Sequence, residues 1–203
     1  IYELDYSRYA DDLDVISFDN YPAWHSPNHL HEAAASAFWH DFFRSLKNAP
    51  YLLMESSPGL ENWKQYNKLK EIGMDKLASM QAVAHASDGV LYFQWRKSRG
   101  DAEKFHGAVV DHEGSENTRI FKAVQGTGET LEKIAGIAGT GAKRAEAAIL
   151  FDWETMWAFE RSQFAGRKNY RGDVIETYKF FWNNAIPCDV KNPRDDLSGY
   201  KLV

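Results

Sequence analysis

The sequence predicts an α/β protein whose strands are parallel and buried on both faces. Short, almost continuous apolar runs recur along the chain, and segments of helical composition separate them. Polar side chains follow the carboxyl ends of several of these runs. Continuous apolar strands alternating with helices are typical of barrels and of doubly wound sheets, and the pattern does not choose between the two.

The first half of the chain predicts three strands with helices between them. The strand that ends at Pro22 is closed by the restriction that proline places on the preceding residue. The next helix contains neither Gly nor Pro and has Asn28 as its candidate N-cap. The predicted elements, in chain order, are a helix-like segment at 3–14, a strand at 15–21, a helix at 30–46, a strand at 51–55, a helix at 74–86 and a strand at 89–95.

The second half predicts a domain boundary followed by another α/β unit. A long helix at 116–138 runs into a glycine-rich break at 136–141, which is typical of a linker. We therefore expect one domain over 1–140 and a second over 141–203. The second unit would contain a strand at 145–153, a helix at 172–182 and the start of a strand at 186–190.

Composition excludes several classes of protein. The 203 residues include 24 basic and 29 acidic side chains, a net charge of −5, and no long Lys/Arg block, so nucleic acid is not an expected partner. No apolar run approaches the roughly 20 residues that cross a bilayer, so no membrane span is expected. The single Cys188 cannot form an internal disulfide, which favours either a reducing, cytoplasmic location or a scaffold that does without disulfides. Because the chain opens at Ile1 without Met or a signal-type segment, we expect a fragment.

Polar residues that follow three predicted strands are the candidates for chemistry. The carboxyl ends of parallel strands converge on one face, where active sites lie. Glu55 is the strongest candidate. It follows four apolar residues, so its carboxylate needs either a partner that compensates its charge or a role in catalysis. The structural alternative is an ion pair with Arg96 or with another cation at the same end of the strands. The three groups are 19–21 (Asp-Asn-Tyr), 55–57 (Glu-Ser-Ser) and 94–96 (Gln-Trp-Arg).

Aromatic residues near these strand ends favour a sugar site. Trp24, Trp63 and Trp95 would offer flat surfaces to the C–H faces of a sugar ring while carboxylates and amides bind its hydroxyls. The alternative is that these tryptophans fill the core. Glu103 and His106 lie three residues apart, so at helical spacing they share a face, either to hold hydroxyls or as a surface pair.

A cluster of histidines and a glycine-rich segment do not predict a metal site or a phosphate-binding loop. His25, His29 and His31 lie close together in sequence but lack a fourth ligand at a fixed spacing, so no metal site is predicted. Residues 136–143 lack the Gly-Lys-Ser/Thr ending of a phosphate loop, and no Gly-x-Gly-x-x-Gly follows a strand. No cofactor is therefore expected.

Several motifs, in a fixed order, resemble glycoside hydrolase family 42 β-galactosidases. The resemblance covers nearly the whole chain, and the joint occurrence of the motifs is more specific than any one of them. They are 14–22, 54–59 followed by Asn62 and Trp63, 93–100, 103–108, and 149–154 followed by Trp157.

This resemblance implies part of a TIM (β/α)8 barrel, strands 6 to 8, followed by the start of a flavodoxin-like trimerisation domain. It implies that Glu55 is the nucleophile at the end of the seventh strand, in an enzyme that retains anomeric configuration by double displacement. It also implies a galactoside substrate and a homotrimer. The residues implied at the substrate are Tyr21 near the nucleophile, Trp63, Glu103 and His106 on the galactose, and Phe93 at the pocket wall.

The family's acid/base is the Glu of an Asn-Glu pair near the end of the fourth strand. No Asn-Glu pair occurs in this sequence. We therefore expect this chain to carry the nucleophile but not the acid/base, and to be inactive by itself. The competing hypothesis is a non-catalytic piece that binds sugar or forms an oligomer.

Overall fold

Two parallel sheets, one of three strands and one of two, form the centre of the protein. The structure is a computed structural model, and it describes residues 4–22, 26–63, 65–141, 143–162 and 169–203. The strands are β1 (Ser17–Asp19), β2 (Tyr51–Glu55), β3 (Ser87–Val90), β4 (Ala147–Leu150) and β5 (Cys188–Lys191). The helices are α1 (His29–Lys47), α2 (Met74–Ala84), α3 (Arg119–Lys133), α4 (Trp153–Glu160) and α5 (Tyr170–Asn183).

The first sheet has the order β1-β2-β3, and both pairs of strands are parallel. Helix α1 connects β1 to β2, and α2 lies between β2 and β3 in the chain. The register places Asp19 of β1 beside Glu55 of β2. The predicted α/β class is confirmed, and the carboxyl ends of β1 and β2 meet at the same edge.

Helix α1 begins and ends where its flanking residues dictate. The side-chain oxygen of Asn28 accepts a hydrogen bond from the backbone N–H of His31 at 3.0 Å, as predicted for its N-cap. At the other end Asn48 takes a left-handed conformation (φ 48°), which asparagine tolerates better than most residues. The predicted helix at 30–46 is thus confirmed to within one residue at each end.

The helix predicted over 3–14 is wrong in its described part. Short 3₁₀ turns at Tyr6–Arg8 and Ala10–Asp12 occupy the segment instead. Asp11, Asp12 and Asp14 would crowd the carboxyl end of an α-helix, where the helix dipole disfavours negative charge.

The third strand lies earlier than predicted. It spans Ser87–Val90 rather than 89–95, because the Ser87 hydroxyl accepts from the Leu53 N–H at 3.1 Å and begins the pairing. Beyond Val90 the chain leaves the sheet and follows the loop after β2, where the Phe93 N–H donates to the Ser56 carbonyl at 3.0 Å.

Two further elements begin or end at positions that differ from the prediction, because capping residues fix them. Helix α3 begins only after Thr118, whose hydroxyl accepts from the Phe121 N–H. The strand predicted at 145–153 ends at Leu150, because Asp152 caps α4, a helix that the sequence pattern did not predict. β4 and β5 pair in parallel in the second sheet.

The two units share one aromatic core. Phe38 of α1 contacts Phe151 at 5.7 Å and Tyr178 at 5.5 Å between ring centroids. Trp153, 1% exposed, belongs to the same buried cluster. Helix α1 therefore packs against β5 and α5, and through His40 and Phe43 it also contacts Phe18 of the first sheet. None of the helices within the described ranges is long and apolar enough to cross a bilayer.

Candidate active site

Glu55 lies at the carboxyl end of β2, and β1 delivers its partner. The Asn20 N–H donates to the Glu55 carbonyl at 3.0 Å, which continues the pairing of the two strands past their ends. One residue later the Tyr21 hydroxyl donates to Oε2 of Glu55 at 2.8 Å. Within the described part of the chain Glu55 forms no ion pair with Arg96, the alternative partner suggested by the sequence.

Electrostatics keep Tyr21 a hydrogen-bond donor. Burial, the hydrogen bond to Glu55 and the charge of that carboxylate all raise the pKa of Tyr21, so the phenol stays protonated. The pKa of Asp19 is raised as well, first by burial and then by Glu55. The edge of the sheet therefore places one hydroxyl donor and a second carboxyl group close to Glu55.

Aromatic rings surround this edge. The Trp63 ring meets Tyr21 edge-on at 4.9 Å and lies 4.9 Å from the His106 ring. Phe93 meets His106 edge-on at 4.9 Å. His106 is fully buried, whereas Trp63 is 51% exposed, so the indole is accessible next to Tyr21, the residue that binds Glu55. The structure thus brings together Tyr21, Glu55, Trp63, Phe93 and His106.

Backbone contacts hold Trp63 and His106 together although they are far apart in sequence. The Gly107 N–H donates to the Leu60 carbonyl at 2.9 Å, which joins the loop after β2 to the turn that ends at His106. A Cβ on Gly107 would lie only 2.7 Å from the Leu60 nitrogen. Only glycine permits this approach, so Gly107 fixes the spacing between the two loops.

Glu103 and His106 present unused acceptors. Nδ1 of His106 lies 2.9 Å from the Gly107 carbonyl, which can only accept, so Nδ1 carries a hydrogen, and in a neutral imidazole Nε2 is then the acceptor. Nε2 of His106 and Oε2 of Glu103 are buried without a hydrogen-bond partner among the described residues. Both lie at one 3₁₀ turn (Ala102–Phe105 and its C-cap), the spacing at which side chains three apart align. Two acceptors on one face suit a ligand that carries hydroxyl groups.

Several candidates from the sequence lie elsewhere or outside the description. Trp95 is 66% exposed, lies near Phe121 and has no described ring contact with the site. Trp24 and His25 fall outside the described residues. His31 pairs with Glu176 at 2.9 Å. Across the described ranges no three metal-binding side chains gather at one point.

Sequence reasoning missed two buried charged residues in the segment after β2. Glu61 is 2% exposed and Lys70 is 3% exposed, and the Lys70 ammonium donates to the Ser57 carbonyl. Burial lowers the pKa of Lys70 to about 7, and the carboxylates of Glu61 and Asp75 oppose that shift. Nothing in the local pattern distinguishes these residues from exposed ones, because their burial depends on how the loop folds over them.

Comparison with known proteins agrees with this arrangement. Residues 1–134 match the glycoside hydrolase family 42 β-galactosidase family, and residues 145–203 match the β-galactosidase trimerisation domain. β-Galactosidase BglY of Alicyclobacillus acidocaldarius is 50% identical over 205 residues, which cover 98% of this chain and 29% of that protein. β-Galactosidase GanA of Bacillus subtilis is 48% identical, over 98% of this chain and 30% of that protein.

Two solved structures that resemble this chain are also β-galactosidases. A catalytic mutant of Gan42B, a β-galactosidase of the same family from G. stearothermophilus, superposes with a TM-score of 0.94 at 47% identity, covering 100% of this chain and 30% of that one. The β-galactosidase from Bacillus circulans sp. alkalophilus gives 0.88 at 39% identity, covering 98% and 29%. The chain spans about 30% of the length of these relatives. A family match over most of the chain, together with this likeness in sequence and structure, shows that the chain belongs to the glycoside hydrolase family 42 β-galactosidases.

Proposed function

We propose that this chain is the nucleophile-bearing part of a retaining β-galactosidase that removes terminal β-D-galactosyl residues. The observation that carries the proposal is the placement of Glu55. Its carboxylate lies at a strand end and accepts a hydrogen bond at 2.8 Å from Tyr21, whose ring in turn contacts Trp63 and His106.

The reaction is a double displacement. Oε1 of Glu55 attacks the anomeric carbon as the glycosidic C–O bond breaks, while a second carboxylic acid gives its proton to the leaving oxygen. Water then attacks the galactosyl-enzyme, the second residue takes the proton from that water, and Glu55 leaves as a carboxylate. Because Tyr21 binds Oε2, the other oxygen of Glu55 remains free for the attack.

The remaining residues bind the galactose. Trp63 offers its exposed ring to the C–H face of the sugar, and Phe93 forms the wall behind His106. Glu103 and His106 accept hydrogen bonds from sugar hydroxyls through the two buried atoms that have no partner among the described residues. Sugars are neutral, so the net charge of −5 does not oppose their binding.

The proposal extends to the architecture of the whole protein. β1, β2 and β3 correspond to strands 6 to 8 of a TIM barrel within a domain over 1–140, and 141–203 begins a flavodoxin-like domain that assembles a homotrimer. The trimerisation-domain match over 145–203 supports the assembly. The acid/base comes from sequence outside this chain, since no Asn-Glu pair occurs in it. The single, buried Cys188 thiol favours the cytoplasm.

Trapping the covalent intermediate tests the assignment. In the whole protein, a 2-fluorogalactoside that stops the reaction after the first displacement is expected to label Glu55, as read by peptide mass spectrometry. Glu55→Gln should lower kcat/KM by at least ~1,000-fold, which is ~4 kcal/mol of transition-state stabilisation. The exposed Glu116→Gln is the matched control and should keep full activity.

Two results would contradict the proposal. Labelling on Glu103 or Asp19 would move the nucleophile to another residue. A trimer that binds galactose but turns over no galactoside would favour the competing hypothesis of a non-catalytic assembly piece. The isolated 203-residue chain is expected to show no turnover of a nitrophenyl galactoside.

A further inference from the structure

We propose that His40, a buried histidine in the middle of α1, is a positioning residue for the Glu55–Tyr21 pair and acts through Asn20. The inference rests on the proposed function, because it concerns the efficiency of the nucleophile. His40 contacts neither Glu55 nor the sugar pocket in the described structure, and nothing in the sequence pattern of α1 marks it.

Asn20 connects α1 to the candidate nucleophile. Its backbone N–H donates to the Glu55 carbonyl at 3.0 Å, and the next residue is Tyr21. Its side-chain amide points the other way and donates to Oγ of Ser36 at 2.6 Å and to Nε2 of His40 at 3.2 Å. The amide therefore fixes the end of β1 to the helix behind it, and through β1 it fixes the position of the Tyr21 hydroxyl.

The donor and the acceptor of each hydrogen bond from Asn20 to Ala82 can be assigned in turn. Because the Asn20 amide nitrogen is a donor, Nε2 of His40 accepts, and the ring hydrogen lies on Nδ1. Nδ1–H then donates to the Tyr51 hydroxyl oxygen at 2.6 Å, and the Tyr51 hydroxyl donates to the Ala82 carbonyl at 3.2 Å. Both ring nitrogens of His40 have a partner in this arrangement, so the ring is held in a single tautomer and orientation.

The surroundings keep His40 neutral, as this role requires. It is 1% exposed and lies between the rings of Phe18 at 5.2 Å and His85 at 5.9 Å. Burial, followed by the repulsion from His85, lowers the pKa of His40 to about 3, and Asp41 opposes the shift. Asp41 on α1, Tyr51 on β2 and His85 after α2 are the titratable groups that face the ring.

Loss of this support should affect turnover more than binding. A shift of ~1 Å in a reacting group can cost ~100-fold in rate. Releasing Asn20 would move Tyr21 relative to Glu55, whereas Trp63 and His106 lie on other loops that Gly107 and Leu60 join. We therefore expect kcat to fall while KM stays nearly constant.

A double-mutant cycle in the whole protein tests the inference. His40→Leu should lower kcat by ~10- to 100-fold and change KM by less than ~3-fold. In a Tyr21→Phe background the same substitution should have a much smaller effect, because the two residues act on one interaction. His40→Gln should recover part of kcat, since its side-chain oxygen can accept from Asn20.

The matched control is His85→Leu, which removes a neighbouring ring from the same cluster without touching Asn20. It should change stability but not kcat. Should His40→Leu fail to fold, Asn20→Ala tests the same connection, because it keeps the backbone N–H to Glu55 and removes the contacts of the amide with both His40 and Ser36 of α1.

Three results would overturn the inference: an unchanged kcat in His40→Leu or Asn20→Ala, additive losses with Tyr21→Phe, or an equal loss in His85→Leu. Each of these leaves Glu55 in its role. An active Glu55→Gln enzyme would instead refute the proposed function itself.

Discussion

At the scale of single residues, the informative feature is a polar group where the pattern expects an apolar one. Glu55 stands out because a carboxylate that ends an apolar strand must find a partner, and it finds the Tyr21 hydroxyl. His40 gives no such signal, since a histidine in a helix is ordinary in sequence. Its burial and the hydrogen bonds at its two ring nitrogens identify it.

The buried His40 predicts a pH dependence of stability. Its folded pKa lies below its unfolded value, so the unfolded chain binds more protons between those two values and stability rises with pH there. The contribution is complete above 6.5 and is lost as the pH falls from 6.5 towards about 3. The loss is at most ~1.4 kcal/mol per pH unit.

Urea unfolding of the whole protein at several pH values checks this prediction. His40→Gln should flatten the dependence below pH 6.5, since it removes the titrating ring. The exposed His29→Gln serves as the control and should leave the slope attributed to His40. An equal slope in His40→Gln and the unaltered protein would contradict the assignment.

At the scale of elements, the hydrophobic pattern predicts which helices and strands form. Capping residues and strand pairing decide where each of them ends. Helix α1 matches its prediction because its cap, Asn28, is a local feature. β3 does not, because the apolar run at 89–95 continues past the point where its neighbour stops pairing. The residues beyond Val90 then turn towards the loop after β2, which brings Phe93 to the site.

Gly107 offers a test at this scale, since it sets the distance between two loops. Gly107→Ala would place a Cβ 2.7 Å from the Leu60 nitrogen, so one loop must move. We expect a loss of about 1–3 kcal/mol in the free energy of unfolding. We also expect a higher KM for galactosides, because His106 moves away from Trp63.

Gly100→Ala is the control for this substitution, because nothing lies within 4 Å of its added Cβ. Thermal unfolding and steady-state kinetics of both variants make the comparison. A Gly107→Ala protein with unchanged stability and KM would show that the two loops do not depend on this close approach.

At the scale of the whole molecule, the two units are joined by an apolar core and by buried charge. Arg44 of α1 binds Asp41 at 3.1 Å and Asp189 of β5 at 2.8 Å. Asp189 is fully buried and also accepts from the Tyr200 hydroxyl at 2.7 Å. The helix that anchors Asn20 is therefore also fixed to the second unit.

Asp189→Asn tests whether the buried charge network contributes more to stability than an exposed ion pair does. It leaves the Arg44 guanidinium short of one carboxylate, and we expect a loss of about 3 kcal/mol in the free energy of unfolding. Glu146→Gln, which breaks the exposed pair with Lys201, is the control and should leave the melting temperature unchanged. Scanning calorimetry measures both, and equal melting temperatures for the two variants would contradict the prediction.

The sequence by itself determined the α/β class, the N-cap of α1 and the position of Glu55 at a strand end. These features depend on residues close together in the chain, where periodicity and capping act. The tertiary structure decided that Tyr21, 34 residues away, donates to Glu55, that Trp63 meets His106, and that Asn20 is bound by His40. Such contacts depend on strand register and on loops that approach through a single glycine, and no local pattern of residues encodes them.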